Sequence, residues 1–92
     1  MATAQIDWLR QPPLGPRYST VARFEEQTEE QWKKEAWSVV VELQGRPDES
    51  GHQVVAIRFL SKDGPTKWLQ PSSKFSLYEG ETKVAEGVVL GQ

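Results

Sequence analysis

The sequence predicts an all-β fold, a small antiparallel six-stranded barrel or sandwich with a short helical turn in one loop. Three observations predict it. Apolar residues recur at alternate positions in several short runs, as strands with one buried face require. Clusters of Gly, Pro, Asp and Ser separate those runs, where turns are needed. Only one segment carries the start and stop signals of a helix.

Residues 1–17 read as an N-terminal arm ahead of a single barrel domain, 18–92. Pro12, Pro13 and Pro16 oppose both helix and sheet ladder. Ile6, Trp8, Leu9 and Leu14 give the arm apolar points with which to pack along the body. The first strand is expected at Tyr18–Phe24, with Tyr18, Thr20, Ala22 and Phe24 on one side. The helix signals follow. Thr28 and Gln31 have the spacing of a capping box, and Glu29 and Glu30 precede Lys33 and Lys34 as the helix dipole favours. Trp32 is the one large apolar anchor here, so the segment reads as one or two turns inside a long loop.

Trp37–Leu43 is the clearest strand, with Trp37, Val39, Val41 and Leu43 on one face and Ser38, Val40 and Glu42 on the other. Beyond a polar turn at Gln44–His52, the strand Gln53–Ser61 turns Val55, Ile57 and Phe59 one way and Val54, Ala56, Arg58 and Leu60 the other. Trp68 and Leu69 pin the next connection. Lys74–Glu79 and Thr82–Leu90 make a final hairpin across Gly80. Gly87, inside a strand, marks a bulge, a barrel corner or a close backbone approach.

A chain of 92 residues is one domain. It has no cysteine, which excludes disulfides and thiolate metal sites. Four Trp, three Phe and two Tyr supply a core, since each large aromatic buries about 150–250 Å². The net charge of −2 lacks the basic surplus that phosphate neutralisation demands of polyanion binders. No run approaches the roughly 20 apolar residues of a membrane span, and Met1–Arg10 lacks the basic and apolar regions of a secretory signal. A cytoplasmic location is the expectation.

The final hairpin carries a family resemblance. Phe75, Leu77, Glu79, Gly80, Val84, Ala85, Gly87 and Val89 fall in a pattern that resembles the end of the C-terminal β-barrel domain of translation elongation factor Tu. Arg58-Phe59-Leu60 and Leu69-Gln70-Pro71 are similar, more weakly, to earlier parts of that barrel. The resemblance implies a barrel of the translation-factor type, and it implies contact with structured, tRNA-like RNA at Glu79 and Gly80. Tyr78 stands where that family has an arginine, so a phosphate-binding cation is missing. The chain also has no Gly-x-x-x-x-Gly-Lys-Ser/Thr run, the phosphate loop of a GTPase.

No catalytic constellation stands out. The one histidine, His52, lies in a polar loop. Ser50 or Ser61 with Asp48 or Asp63 would have to complete a triad without a nucleophile elbow. Glu25-Glu26 and Glu29-Glu30 read as a solvated face balanced by Lys33 and Lys34. Scattered carboxylates and one histidine make no metal-ligand spacing. No enzyme activity, cofactor or metal is expected. Arg58, Lys62, Lys67, Trp68 and Lys74 interleave charge with an aromatic, a pattern suited to single strands, but the net charge opposes it.

The expected function is therefore a non-enzymatic interaction module that binds a protein partner, with structured RNA as the alternative. The candidate contact residues are Trp8, Trp32, Trp68, Tyr78, Glu79 and Gly80. The three tryptophans lie in connections, where an exposed indole marks a binding hot spot and a buried one pins a loop. An exposed strand edge is expected to receive the partner or to pair with a second copy, leaving monomer and homodimer both open.

Overall fold

Strands form at β1 (Ala2–Trp8), β2 (Arg17–Phe24), β3 (Trp37–Leu43), β4 (His52–Phe59), β5 (Lys74–Glu79) and β6 (Thr82–Gly91). The computed structural model describes residues 2–43 and 45–91. Its strands close into one antiparallel barrel in the order β1-β4-β3-β2-β5-β6. β2, β3 and β4 are a meander, and β1 lies beside β4, which is a Greek-key arrangement. The β5–β6 hairpin then fills the gap between β2 and β1.

Two expectations change here. The segment expected as an arm contributes β1, the strand that closes the barrel against β4 and β6. Only the crossing between Trp8 and Arg17 remains arm-like. Ala2, Ala4 and Ile6 alternate into the core while Thr3, Gln5 and Asp7 face outward. Two of the three inward residues are alanines, a weak apolar signal beside three prolines. The expectation of a strand open along a whole edge also changes, because closure gives every strand two neighbours over at least part of its length. The remaining strands lie within two residues of their expected bounds.

The interior follows the alternation. Val39, Val41, Val55, Ile57 and Leu77 are fully buried. Phe24 sits at the middle of an aromatic cluster, with ring centroids 5.5 Å from Phe59, 5.6 Å from Trp68 and 5.6 Å from Phe75. Phe75 lies opposite Gly87 across the hairpin. A Cβ on Gly87 would stand 2.4 Å from Phe75 Cζ, so the glycine makes room for the ring. Between Leu77↔Ala85 and Tyr78↔Lys83 the register shifts by one. That bulge turns Val84 and Ala85 both inward. Outside the core, Val40 is only 1% exposed; it is flanked by Ser19 and Arg58.

The helical turn α1 (Glu29–Lys34) forms as the capping box requires: Thr28 Oγ1 accepts from Gln31 N, and Gln31 Oε1 accepts from Thr28 N. Glu29–Lys33 and Glu30–Lys34 pair at 3.4 and 3.5 Å. Buried Gln27 ties the loop down, accepting from Phe24 N at 3.1 Å and donating to Glu35 O at 3.1 Å. A single 3₁₀ turn spans Thr66–Trp68. No helix among the described residues is long and apolar enough to cross a membrane.

Candidate functional site

The barrel has two ends, and one part of its outer face is concave. The six residues singled out from the sequence are divided among them.

Trp68 belongs to the end where β2 finishes, half-buried against the core and stacked near Phe24. Its ring is a plug. Trp32 lies on the outside, where its Nε1–H donates to Ala22 O at 3.0 Å and its ring stands 4.8 Å from that of Tyr78. Arg23 lies over the same indole at 5.9 Å, a cation–π distance. Trp8 sits at the opposite end, donating from Nε1 to buried Gln53 at 3.0 Å and meeting Tyr18 edge-on at 6.0 Å. The Gln53 amide in turn donates to Gly45 O at 3.1 Å. All three indoles are half-buried, and each is engaged within the fold.

Glu79 joins the Trp8 end. The Tyr18 hydroxyl donates to Glu79 Oε2. Burial first, then this bond to a carboxylate, push the tyrosine pKa up to about 12. Gly80 has φ 63° and leads a two-residue turn between Glu79 and Thr82. A positive φ at the first central position suits the twist of a tight hairpin. A pocket of about 250 Å³ lies beside this turn, walled by Trp8, Tyr18, Val84 and Pro13, with Arg10 and Glu79 among its polar groups.

A groove of about 590 Å³ lies on the outer face of β2, β5, β6 and β1. One cross-strand row forms its middle: Arg23 opposite Ser76, Ser76 opposite Glu86, Glu86 opposite Asp7. Like charges directly opposite repel; Lys83 relieves Glu86, while Asp7 Oδ1 is buried and accepts no hydrogen bond among the described residues. Lys83 Nζ is 2.9 Å from Glu86 Oε1, and His52 Nε2 is 3.2 Å from Asp7 Oδ1. The bond to Glu86 is the main cause that raises the Lys83 pKa. Lys74 and Glu25 stand at one side, and Tyr78 gives the groove an aromatic shoulder backed by Trp32.

Of the six candidates only Tyr78 lines this groove. Sequence reasoning missed Arg23, Glu86, Asp7 and Lys83. Their signal was present as polar alternates on strands, but which strands adjoin was not.

His52 lies between two carboxylates, with Nδ1 3.9 Å from Asp48 Oδ2. No hydroxyl bonds it among the described residues. Asp48 accepts from the backbone N–H of Ser50 at 2.8 Å and of His52 at 3.0 Å. Backbone donation, from His52 above all, lowers its pKa. This is a turn-fixing aspartate. No group of three or more His, Asp or Glu side chains suited to a metal ion occurs among the described residues.

No family model, curated protein or solved structure matches the chain at a significant level.

Proposed function

We propose that this barrel is a non-enzymatic interaction module that binds a protein partner. The observation that carries the reading is the composition of the outer groove. Arg23, Lys74 and Lys83 are balanced there by Asp7, Glu25 and Glu86. A polyanion favours a surface of one sign, whereas a protein surface offers both. The aromatic shoulder at Tyr78 and Trp32 adds contact area of the kind that anchors protein interfaces. The cysteine-free composition supports a cytoplasmic setting.

Kinship with the elongation factor Tu barrel is proposed on the residues of the last hairpin. Structured-RNA binding at the Glu79-Gly80 turn is the alternative that follows from it. That turn has Glu79 and exposed Glu81 as its charged residues, which weakens phosphate contact.

The test is affinity capture from native lysate with the wild type and with Ser76→Trp, which fills the middle of the groove. Bound protein and bound RNA are both identified, at low and at moderate salt. One protein retained by the wild type and lost by Ser76→Trp supports the module. Structured RNA released steeply by salt, and lost on Glu79→Lys, overturns it for the alternative.

A further inference from the structure

The barrel is closed, yet one seam is incomplete. β2 and β5 pair only from Val21↔Tyr78 to Phe24↔Phe75. β2 begins at Arg17, whereas β5 ends at Glu79, where the Gly80 turn sends the chain into β6. About four residues of β2, or roughly 13 Å of strand, run beyond the last β5 pair.

The direction of the unpaired groups follows from the ladder. In an antiparallel pair, residues alternate between those that exchange both backbone bonds and those that exchange none. Leu43 N donates to Pro16 O at 2.9 Å, so in the β2–β3 register the bonded residues of β2 are Tyr18, Thr20 and Ala22. Glu25 N donates to Lys74 O at 2.9 Å, so on the other side the bonded residues are Val21 and Arg23. Both bonds give the same phase. The N–H and C=O of Arg17 and Ser19 must therefore point toward the place where β5 is missing. Both residues are exposed, and the β2–β5 pairing stops at Val21, two residues short of Ser19.

Side chains span the gap without filling that row. Thr20 Oγ1 donates to Tyr78 O, and the Tyr18 hydroxyl donates to Glu79. Both are inward-facing residues of β2. The outward donors and acceptors are left as an open half-edge, immediately above the Trp8–Tyr18–Val84 pocket.

We propose that Arg17–Thr20 receives an extended segment of the partner protein by strand addition. The segment exchanges backbone bonds with Arg17 and Ser19. Its residue opposite Tyr18 points the same way as Tyr18, toward the barrel mouth, and seats an apolar side chain in the pocket of about 250 Å³. Backbone pairing supplies the affinity and the pocket the selectivity. A second copy is a poorer occupant: a four-residue edge buries far less than the roughly 1,200–2,000 Å² of a stable interface. The inference rests on the protein-partner reading and gives that partner a second point of contact beyond the outer groove, one that a short linear peptide can occupy alone.

The probe is a displayed library of random linear dodecapeptides, selected on the folded protein, with the enriched peptides then synthesised. Ser19→Pro removes one outward N–H that no ladder bond uses, a change an edge position tolerates. The expected result is at least a tenfold loss of peptide affinity in Ser19→Pro, with wild-type circular dichroism, and no loss in Ser76→Trp. Hydrogen exchange of the wild type gives a second readout that needs no variant. Peptide should slow the Arg17 and Ser19 amides, while Tyr18 and Thr20 are already slow without it. Peptides that lose affinity only in Ser76→Trp, and leave the Arg17 and Ser19 amides fast, overturn strand addition but keep the protein module. A selection that enriches no peptide overturns strand addition, and the module then stands or falls on the capture experiment.

Discussion

The two ends of the barrel are closed by different physics. At the Trp68 end, Phe24, Phe59, Phe75 and Trp68 stack ring against ring, with Trp37 edge-on to Phe59 at 6.2 Å. At the Trp8 end the closure is polar. Gln53 holds Trp8 and Gly45, Tyr18 reaches Glu79, and Thr20 reaches Tyr78 where the ladder has stopped. Packing needs many atoms and leaves no backbone unpaired. Hydrogen bonds from a few side chains close a gap while leaving donors and acceptors beside it. The aromatic end thus carries stability, and the polar end carries the half-edge and the pocket.

If so, substitutions at the two ends should differ in size and in kind. Phe24→Ala should cost the most, about 3–5 kcal/mol for a buried aromatic, read as a fall in the urea midpoint at unchanged slope. A loss under about 1 kcal/mol would mean that the cluster is not the keystone of that end. Gly87→Ala comes next, at about 1–3 kcal/mol of overpacking, because the added methyl meets Phe75. Pairing it with Phe75→Leu should recover part of the loss in a double-mutant cycle.

Gln53→Leu strands the Trp8 indole N–H and the Gly45 carbonyl, and should cost about 1–2 kcal/mol. Its mark is also local: faster amide exchange around Trp8 and the start of β4, with the Phe24 cluster unchanged. Uniformly faster exchange would show that the ends are not separable. The smallest effect is that of Tyr18→Phe, and its mark is a changed pH dependence at alkaline pH. Folding raises the Tyr18 pKa from 10.0 to about 12, so the folded state holds the proton more tightly than the unfolded chain. That contribution is whole below pH 10 and is lost as pH rises toward 12. The wild type should lose thermal stability more steeply than Tyr18→Phe across that window; equal slopes would remove Tyr18 from the account.

The same contrast explains what was legible beforehand. The capping box at Thr28 and Gln31, the alternation in Trp37–Leu43 and the tight turn at Gly80 are local, and adjacent residues suffice to reveal them. β1 was obscured because Ala2 and Ala4 bury little apolar surface and three prolines follow close behind. The groove was harder still. Arg23, Ser76, Glu86 and Asp7 form a row only after three separate strand pairings are in register. The half-edge depends on a mismatch, β2 starting before β5 has arrived, which no single segment contains. Trp8, Trp32 and Trp68 could be recognised as anchors, but what each anchors is a matter of topology.

β1 and β6 are the first and last strands in chain order, and they pair along nearly their whole lengths, from Thr3↔Gly91 to Trp8↔Ala85. During synthesis β3 and β4 have both their neighbours early, whereas β2 must wait for β5 and β1 for β6. Until Val89 has left the ribosome, β1 has one neighbour instead of two and the inner faces of β2 and β1 have no hairpin over them. Closure of so long a loop slows folding toward the millisecond-to-second range of nonlocal β proteins. Through that interval the nascent chain presents two unpaired edges, the state in which it is most exposed to aggregation or to a chaperone.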